Sequence, residues 1–131
     1  PVIAKIERRD AVADLENIIA AADAIMVARG DLGTDEPLED IPFIERDIIM
    51  RSNAAGKPVI VASQMLFSMV EHPEPTRAEV TDEEFAILSG ADAVMLSDET
   101  AMGKFPVEAV TWMKRIAERV GAERGRAPLL L

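Results

Sequence analysis

Four short, largely apolar runs punctuate the chain, at residues 2–6, 24–28, 58–62 and 92–96, with Lys5 inside the first and Asp92 opening the last. None of them alternates apolar with polar positions, and a continuous run of this length is what a parallel strand buried on both faces requires. Between the runs the pattern takes a helical period. Leu15, Ile18 and Ile19 share one face of a helix expected over residues 11–22. Further helices are expected over 44–55, closed by Gly56 as a C-terminal cap, and over 76–89, stopped by Gly90. A last helix is expected over 106–120, with Pro106 in its first turn. Ala24, Pro58 and Asp92 open three successive runs 34 residues apart, a spacing that suits one strand–helix unit. Asp23-Ala24-Ile25-Met26 and Asp92-Ala93-Val94-Met95 also repeat locally.

Alternating strands and helices define an α/β fold with two architectures open to it, a doubly wound open sheet or a barrel. Four units cannot close a barrel, which needs about eight parallel strands. The chain is therefore half of a barrel, or a small open sheet with helices on both faces.

The polar residues that interrupt the pattern fall at the C-terminal ends of all four runs. They are Lys5 and Glu7, then Arg29 and Asp31, then Ser63 and Gln64, then Ser97, Asp98 and Glu99. One polar residue at a strand end is ordinary turn chemistry. A carboxylate or hydroxyl at every end points to a ligand site, because that edge binds ligands in barrels and open sheets alike. Lys5 and Glu7 are two apart on a strand, so their side chains share one side. That pair reads either as a plain salt bridge or as a carboxylate on a cation beside an ammonium aimed at developing charge. In Ala28-Arg29-Gly30-Asp31-Leu32-Gly33, two glycines around an aspartate predict a sharp turn with backbone N–H groups near a ligand. An aspartate there suits Mg²⁺ or Mn²⁺, held by few protein oxygens and completed by substrate and water.

Composition narrows the classes. Of the 131 residues 49% are hydrophobic but only 4% aromatic, which favours helices packed on buried strands over a β-sandwich. No apolar run approaches the roughly 20 residues of a membrane span, so no membrane partner is expected. There is no cysteine, hence no disulfide or thiolate metal site, and a cytoplasmic setting is the default. A net charge of −10 argues against nucleic acid and anionic membrane surfaces. A phosphorylated small molecule stays compatible, since one local site with a metal overcomes a global field. Residues 121–131, ending in three leucines, read as a tail or linker toward a further domain, and the whole as a fragment.

Several strings resemble pyruvate kinase in order and spacing. They are Lys5-Ile6-Glu7, Ile25-Met26-Val27-Ala28-Arg29-Gly30-Asp31-Leu32-Gly33, Gly56-Lys57-Pro58-Val59-Ile60, Gln64-Met65-Leu66 and Pro75-Thr76-Arg77-Ala78-Glu79-Val80. Gly90-Ala91-Asp92-Ala93-Val94-Met95-Leu96-Ser97, Glu99-Thr100-Ala101 and Phe105-Pro106-Val107-Glu108-Ala109-Val110 continue the match to about residue 120. The resemblance implies four consecutive βα units of a TIM-type barrel, strands five to eight, making residues 1–131 the C-terminal half of the barrel domain. It implies phosphoryl transfer from phosphoenolpyruvate to ADP, giving pyruvate and ATP.

By the same resemblance Glu7 and Asp31 hold a divalent metal, Mg²⁺ or Mn²⁺. Lys5 lies near the transferring phosphoryl group and enolate oxygen. Arg29, Gly30 and Asp31 contact the substrate, and Ser63, where the family usually has threonine, places a hydroxyl near the protonation step. K⁺ belongs to the full-length family, with ligands outside this chain, and a homo-oligomer is expected. The fragment alone is expected to be inactive. The alternatives are a non-catalytic half-barrel assembly module, or another metal-dependent barrel acting on pyruvate-like acids, which segments 28–33 and 75–80 disfavour.

Departures from the family pattern are Asp98 for its glycine, Arg8 for its asparagine, and Asp82-Glu83-Glu84-Phe85 where that pattern is small and apolar. Arg77 and Glu79 read as helix-start charges or a subunit contact, His72 as a loop residue, and Trp112 and Met113 as packing.

Overall fold

A computed structural model describes residues 1–124. Its strands are β1 (Ile3–Ile6), β2 (Ala24–Ala28), β3 (Val59–Ala62) and β4 (Ala93–Met95), the apolar runs trimmed by a residue or two. All three pairings are parallel and the spatial order is β1-β2-β3-β4. The repeated aspartates tie neighbouring strands together. Asp23 and Asp92 each precede a strand and reach back to the start of the previous one, accepting the amides of Val2 at 2.5 Å and Val59 at 2.9 Å. Their own amides donate to the carbonyls of the same two residues, both at 2.9 Å.

An unreversed strand order decides between the two architectures. Right-handed crossovers between neighbours in sequence put every helix on the same face, as in a barrel wall, whereas double winding needs a reversal. Burial agrees. Ile6, Ile25, Val27, Val59 and Val61 are fully buried on one face. On the other, Met26 and Ile60 are half-buried, and Ile3, Lys5, Ala93 and Met95 are exposed. Each fully buried Ile or Val contributes about 1.5–3 kcal/mol relative to exposure, so the helix-covered face carries the fold.

The first helix differs from expectation. It begins early and splits into α1 (Arg9–Ala13) and α2 (Leu15–Ala21) at Asp14, whose carboxylate takes the Asn17 side-chain amide at 2.6 Å. The Arg29–Gly33 stretch is not a turn but the start of a helix, α3 (Arg29–Asp35). Neither of its glycines has positive φ. A Cβ at Gly30 would lie 3.4 Å from Ser63 Cβ, in van der Waals contact, so the helix packs on the end of β3.

α4 (Ile41–Ala54) starts three residues early and ends as expected at Gly56, φ +68°. There the Gly56 and Lys57 amides donate back to the Asn53 and Ser52 carbonyls, satisfying the helix end. α5 (Arg77–Ser89) opens with a capping box. Thr76 accepts the Glu79 amide, and the Glu79 carboxylate takes the Thr76 amide and both polar groups of Ser68. Glu79 is thus a local tie.

A short helix, α6 (Asp98–Ala101), was not foreseen, and the last, α7 (Pro106–Arg124), runs four residues past its expected end into the supposed tail. The rest of that tail, residues 125–131, lies outside the described residues. His72 is an exposed loop residue, Met113 is buried, and Trp112 packs partly buried with the Arg115 guanidinium 4.2 Å over its ring. Among the described residues no helix is long and apolar enough to cross a membrane.

Candidate functional site

Lys5, Glu7 and Asp31 meet at the C-terminal rim. Lys5 projects from the exposed face of β1, and Glu7, two residues on, forms a close ion pair with its ammonium. Asp31, in the first turn of α3, brings Oδ2 to 3.5 Å from the same nitrogen. Two carboxylates from successive βα units therefore flank one cation. They line an open cleft of about 400 Å³ together with Arg8, Thr34 and Asp35. The Glu7 carboxylate, and secondarily Asp31, hold the Lys5 pKa above its ordinary value against some desolvation. Lys5 is therefore an ammonium at neutral pH and acts through charge, not as a base.

The donor set fits a hard divalent ion completed by other ligands. Both groups are carboxylates whose oxygens converge on positive charge, Glu7 through Oε2 in the close ion pair with Lys5 and Asp31 through Oδ2 at 3.5 Å. Among the described residues no three His, Cys, Asp or Glu side chains group to hold an ion by themselves. Two carboxylates alone would hold Mg²⁺ or Mn²⁺ only with substrate and water completing the coordination.

Ser63 lies one step away. Its Oγ would be 3.8 Å from a Cβ at Gly30, so the hydroxyl sits against the residue preceding Asp31. Ser63 and Gln64 both have left-handed backbones, φ +73° and +56°. Two non-glycine residues in that region at a strand end represent stored strain, a recurrent property of functional edges.

Arg29 is placed elsewhere than the Lys5 cluster. It is buried, and its guanidinium donates to the Ser63 carbonyl from Nε at 3.3 Å and Nη2 at 3.0 Å. Nη1 binds Asp82 at 2.6 Å and Glu45 at 3.3 Å. This clasp ties the start of α3 to the end of β3, to α4 and to α5, and holds the strained Ser63 turn. Glu99 is likewise structural: it is fully buried, and its two oxygens accept the Leu66 and Ser97 amides at 3.0 and 2.8 Å. Sequence reasoning missed Glu45 and Asp82, because a carboxylate on a helix carries no signal of a partner on a distant strand.

A groove of about 720 Å³ lies between α5 and α7 and is lined by Val80, Trp112 and Ile116 among others. No strand-end carboxylate reaches it, so the smaller rim cleft remains the candidate site.

A parallel, singly wound α/β arc with a lysine and two carboxylates gathered at its C-terminal rim defines the class of barrel proteins that work at that rim. The family model for the pyruvate kinase barrel domain matches residues 1–110, and the chain belongs to that family. It is 57% identical over 94% of its length to pyruvate kinase 2 of Synechocystis sp., of which it covers 21%. It is 57% identical over 89% of its length to a pyruvate kinase of Thermococcus litoralis, covering 25% of it. With the chloroplastic pyruvate kinase isozyme G of Ricinus communis it shares 55% identity over 90% of its length, 28% of that protein. The chain thus spans between a fifth and under a third of the curated relatives it matches.

Proposed function

We propose that this chain is the part of a pyruvate kinase that supplies the metal carboxylates and the lysine for phosphoryl transfer between phosphoenolpyruvate and ADP. The observation that carries the reading is the Lys5 ammonium flanked by Glu7 and Asp31 at one rim. Glu7 and Asp31 would hold Mg²⁺ or Mn²⁺, which when bound supplies Lewis-acid neutralisation of phosphoryl and enolate oxygens. Lys5, kept protonated by its neighbours, opposes negative charge developing on the same substrate. Ser63 presents its hydroxyl beside Gly30, held there by the Arg29 clasp, where a proton can be relayed toward the enolate carbon. Arg29 serves substrate binding through Ser63, by positioning it. K⁺ would be held by residues of the parent enzyme outside this chain, and we keep the cytoplasmic setting that the lack of cysteine favours.

A non-catalytic assembly module is favoured by one observation, the apolar residues left exposed on the bare sheet face. Calorimetric titration of Mn²⁺ and oxalate separates the two readings. Metal-dependent oxalate binding is expected, and Asp31→Asn or Glu7→Gln should weaken the metal at least about tenfold. Absence of binding, or equal binding by both variants, removes the catalytic reading.

A further inference from the structure

We propose that Glu45 is a positioning residue for the rim: through the Arg29 guanidinium it holds the Ser63 turn, and its proton sets how firmly. Every N–H donor of that guanidinium has a partner. Nε and Nη2 converge on the Ser63 carbonyl, and Nη2 also reaches the Met65 sulfur at 2.9 Å. Both hydrogens of Nη1 go to carboxylates, one to Asp82 and one to Glu45. The edge that grips Ser63 is therefore aimed by the two carboxylates on the far nitrogen. Ser63 and Gln64 need that grip, since both are non-glycine residues with left-handed backbones.

The charges in the clasp do not balance. Two carboxylates meet one guanidinium nitrogen, and the second oxygen of Glu45, Oε1, is buried without a hydrogen bond. Asp82 is 38% exposed, whereas Glu45 is buried. A surplus carboxylate shut away from water, with a bare oxygen, is where a proton is taken up. Burial raises Glu45 to about 7, with Arg29 opposing the rise and Asp82 adding to it. Among the described residues the charged groups acting on it are those two, Arg29 from the start of α3 and Asp82 from α5. Protonated, Glu45 offers Nη1 a neutral acceptor. Ionised, it offers a charge-assisted bond about twice as strong. The Ser63 turn is thus held more tightly on the alkaline side of the window than on the acid side.

The positioning role rests on the proposed part of Ser63 in proton relay. Its test does not, because amide NMR spectra of the chain are recorded without metal, oxalate or substrate. Across neutral pH the Ser63 and Gln64 resonances are expected to move in one step centred near the Glu45 value of about 7. Glu45→Gln keeps an acceptor for Nη1 but cannot ionise, so it should abolish the step and leave both resonances at their acid-side positions. Glu83→Gln should leave the step in place, which separates this proton from the one on Glu83. Circular dichroism checks that both variants fold. In the wild type, the side-chain carboxyl carbon of Glu45 should titrate together with Ser63, a readout that needs no variant. Ser63 and Gln64 resonances that stay flat in the wild type overturn the proposal. So does a step that survives Glu45→Gln, or one that Glu83→Gln removes.

Discussion

Given phosphoenolpyruvate, ADP, Mg²⁺ and K⁺, the 131-residue chain by itself is expected to turn over about 10⁵-fold more slowly than a full-length relative, or worse. Phosphoryl transfer leaves the protein little covalent chemistry. Its catalysis is positioning plus charge stabilisation of an in-line transition state. The rim cluster offers one ammonium and two carboxylates in an open cleft, with Lys5, Glu7 and Asp31 all substantially exposed. Exposed charges act in high dielectric, where each is worth a small part of its effect in a closed, water-free site. No second cation lines that cleft except Arg8, so the nucleotide phosphates find little to orient them. A coupled assay reading pyruvate formation checks this. Turnover within a hundredfold of a full-length relative would show that the arc alone assembles the reacting geometry.

The second large effect concerns Glu83. It stands where the family pattern is small and apolar, and it is fully buried with neither carboxylate oxygen hydrogen bonded. Burial, with the neighbouring Asp82 adding to it, raises its pKa to about 8. The folded chain therefore holds a proton there that the unfolded chain gives up near the ordinary glutamate value of 4.5. Between those two values the folded state binds more protons, so stability falls as pH rises through the window and is fully kept below it. The loss is on the order of a few kcal/mol by pH 8.

Glu83→Leu should recover it, giving a large rise in urea midpoint at pH 8 and a small one at pH 4.5. Glu83→Gln should flatten the pH dependence while recovering less, because its amide stays buried without a partner. Glu45 is also raised, to about 7, by burial opposed by Arg29. Its replacement would strip a partner from the buried guanidinium, so it should not stabilise. Equal pH profiles for wild type and Glu83→Gln would show that Glu83 does not titrate in this window.

The strands were legible because parallel strands covered by helices need largely apolar runs, and the spacing of Ala24, Pro58 and Asp92 is close to the register offsets of 34 and 33 between the last three strands. The bare face was not legible, since Met26 and Ile60 look like any core residue until the helices are seen on one side only. Gly30 and Gly33 suggested a turn, yet the glycine at 30 answers to Ser63, a contact 33 residues away that local reasoning cannot supply. Of the candidate site, the lysine and two carboxylates do converge, because strand ends in a parallel sheet share one rim. The partners of Arg29 were not legible. Its partners Glu45 and Asp82 lie 16 and 53 residues away. Charge at a strand end points outward or inward according to what the neighbouring helices carry. Glu99 failed for the same reason, its oxygens being taken by two backbone amides.

The central claim is that Glu7 and Asp31 form one divalent-cation pocket beside Lys5. Paramagnetic line broadening by substoichiometric Mn²⁺ in an amide NMR spectrum tests it most directly. The broadening should centre on residues 5–8 and 30–32, and vanish in Asp31→Asn. Broadening centred elsewhere, or spread evenly over the acidic helix faces, would contradict it.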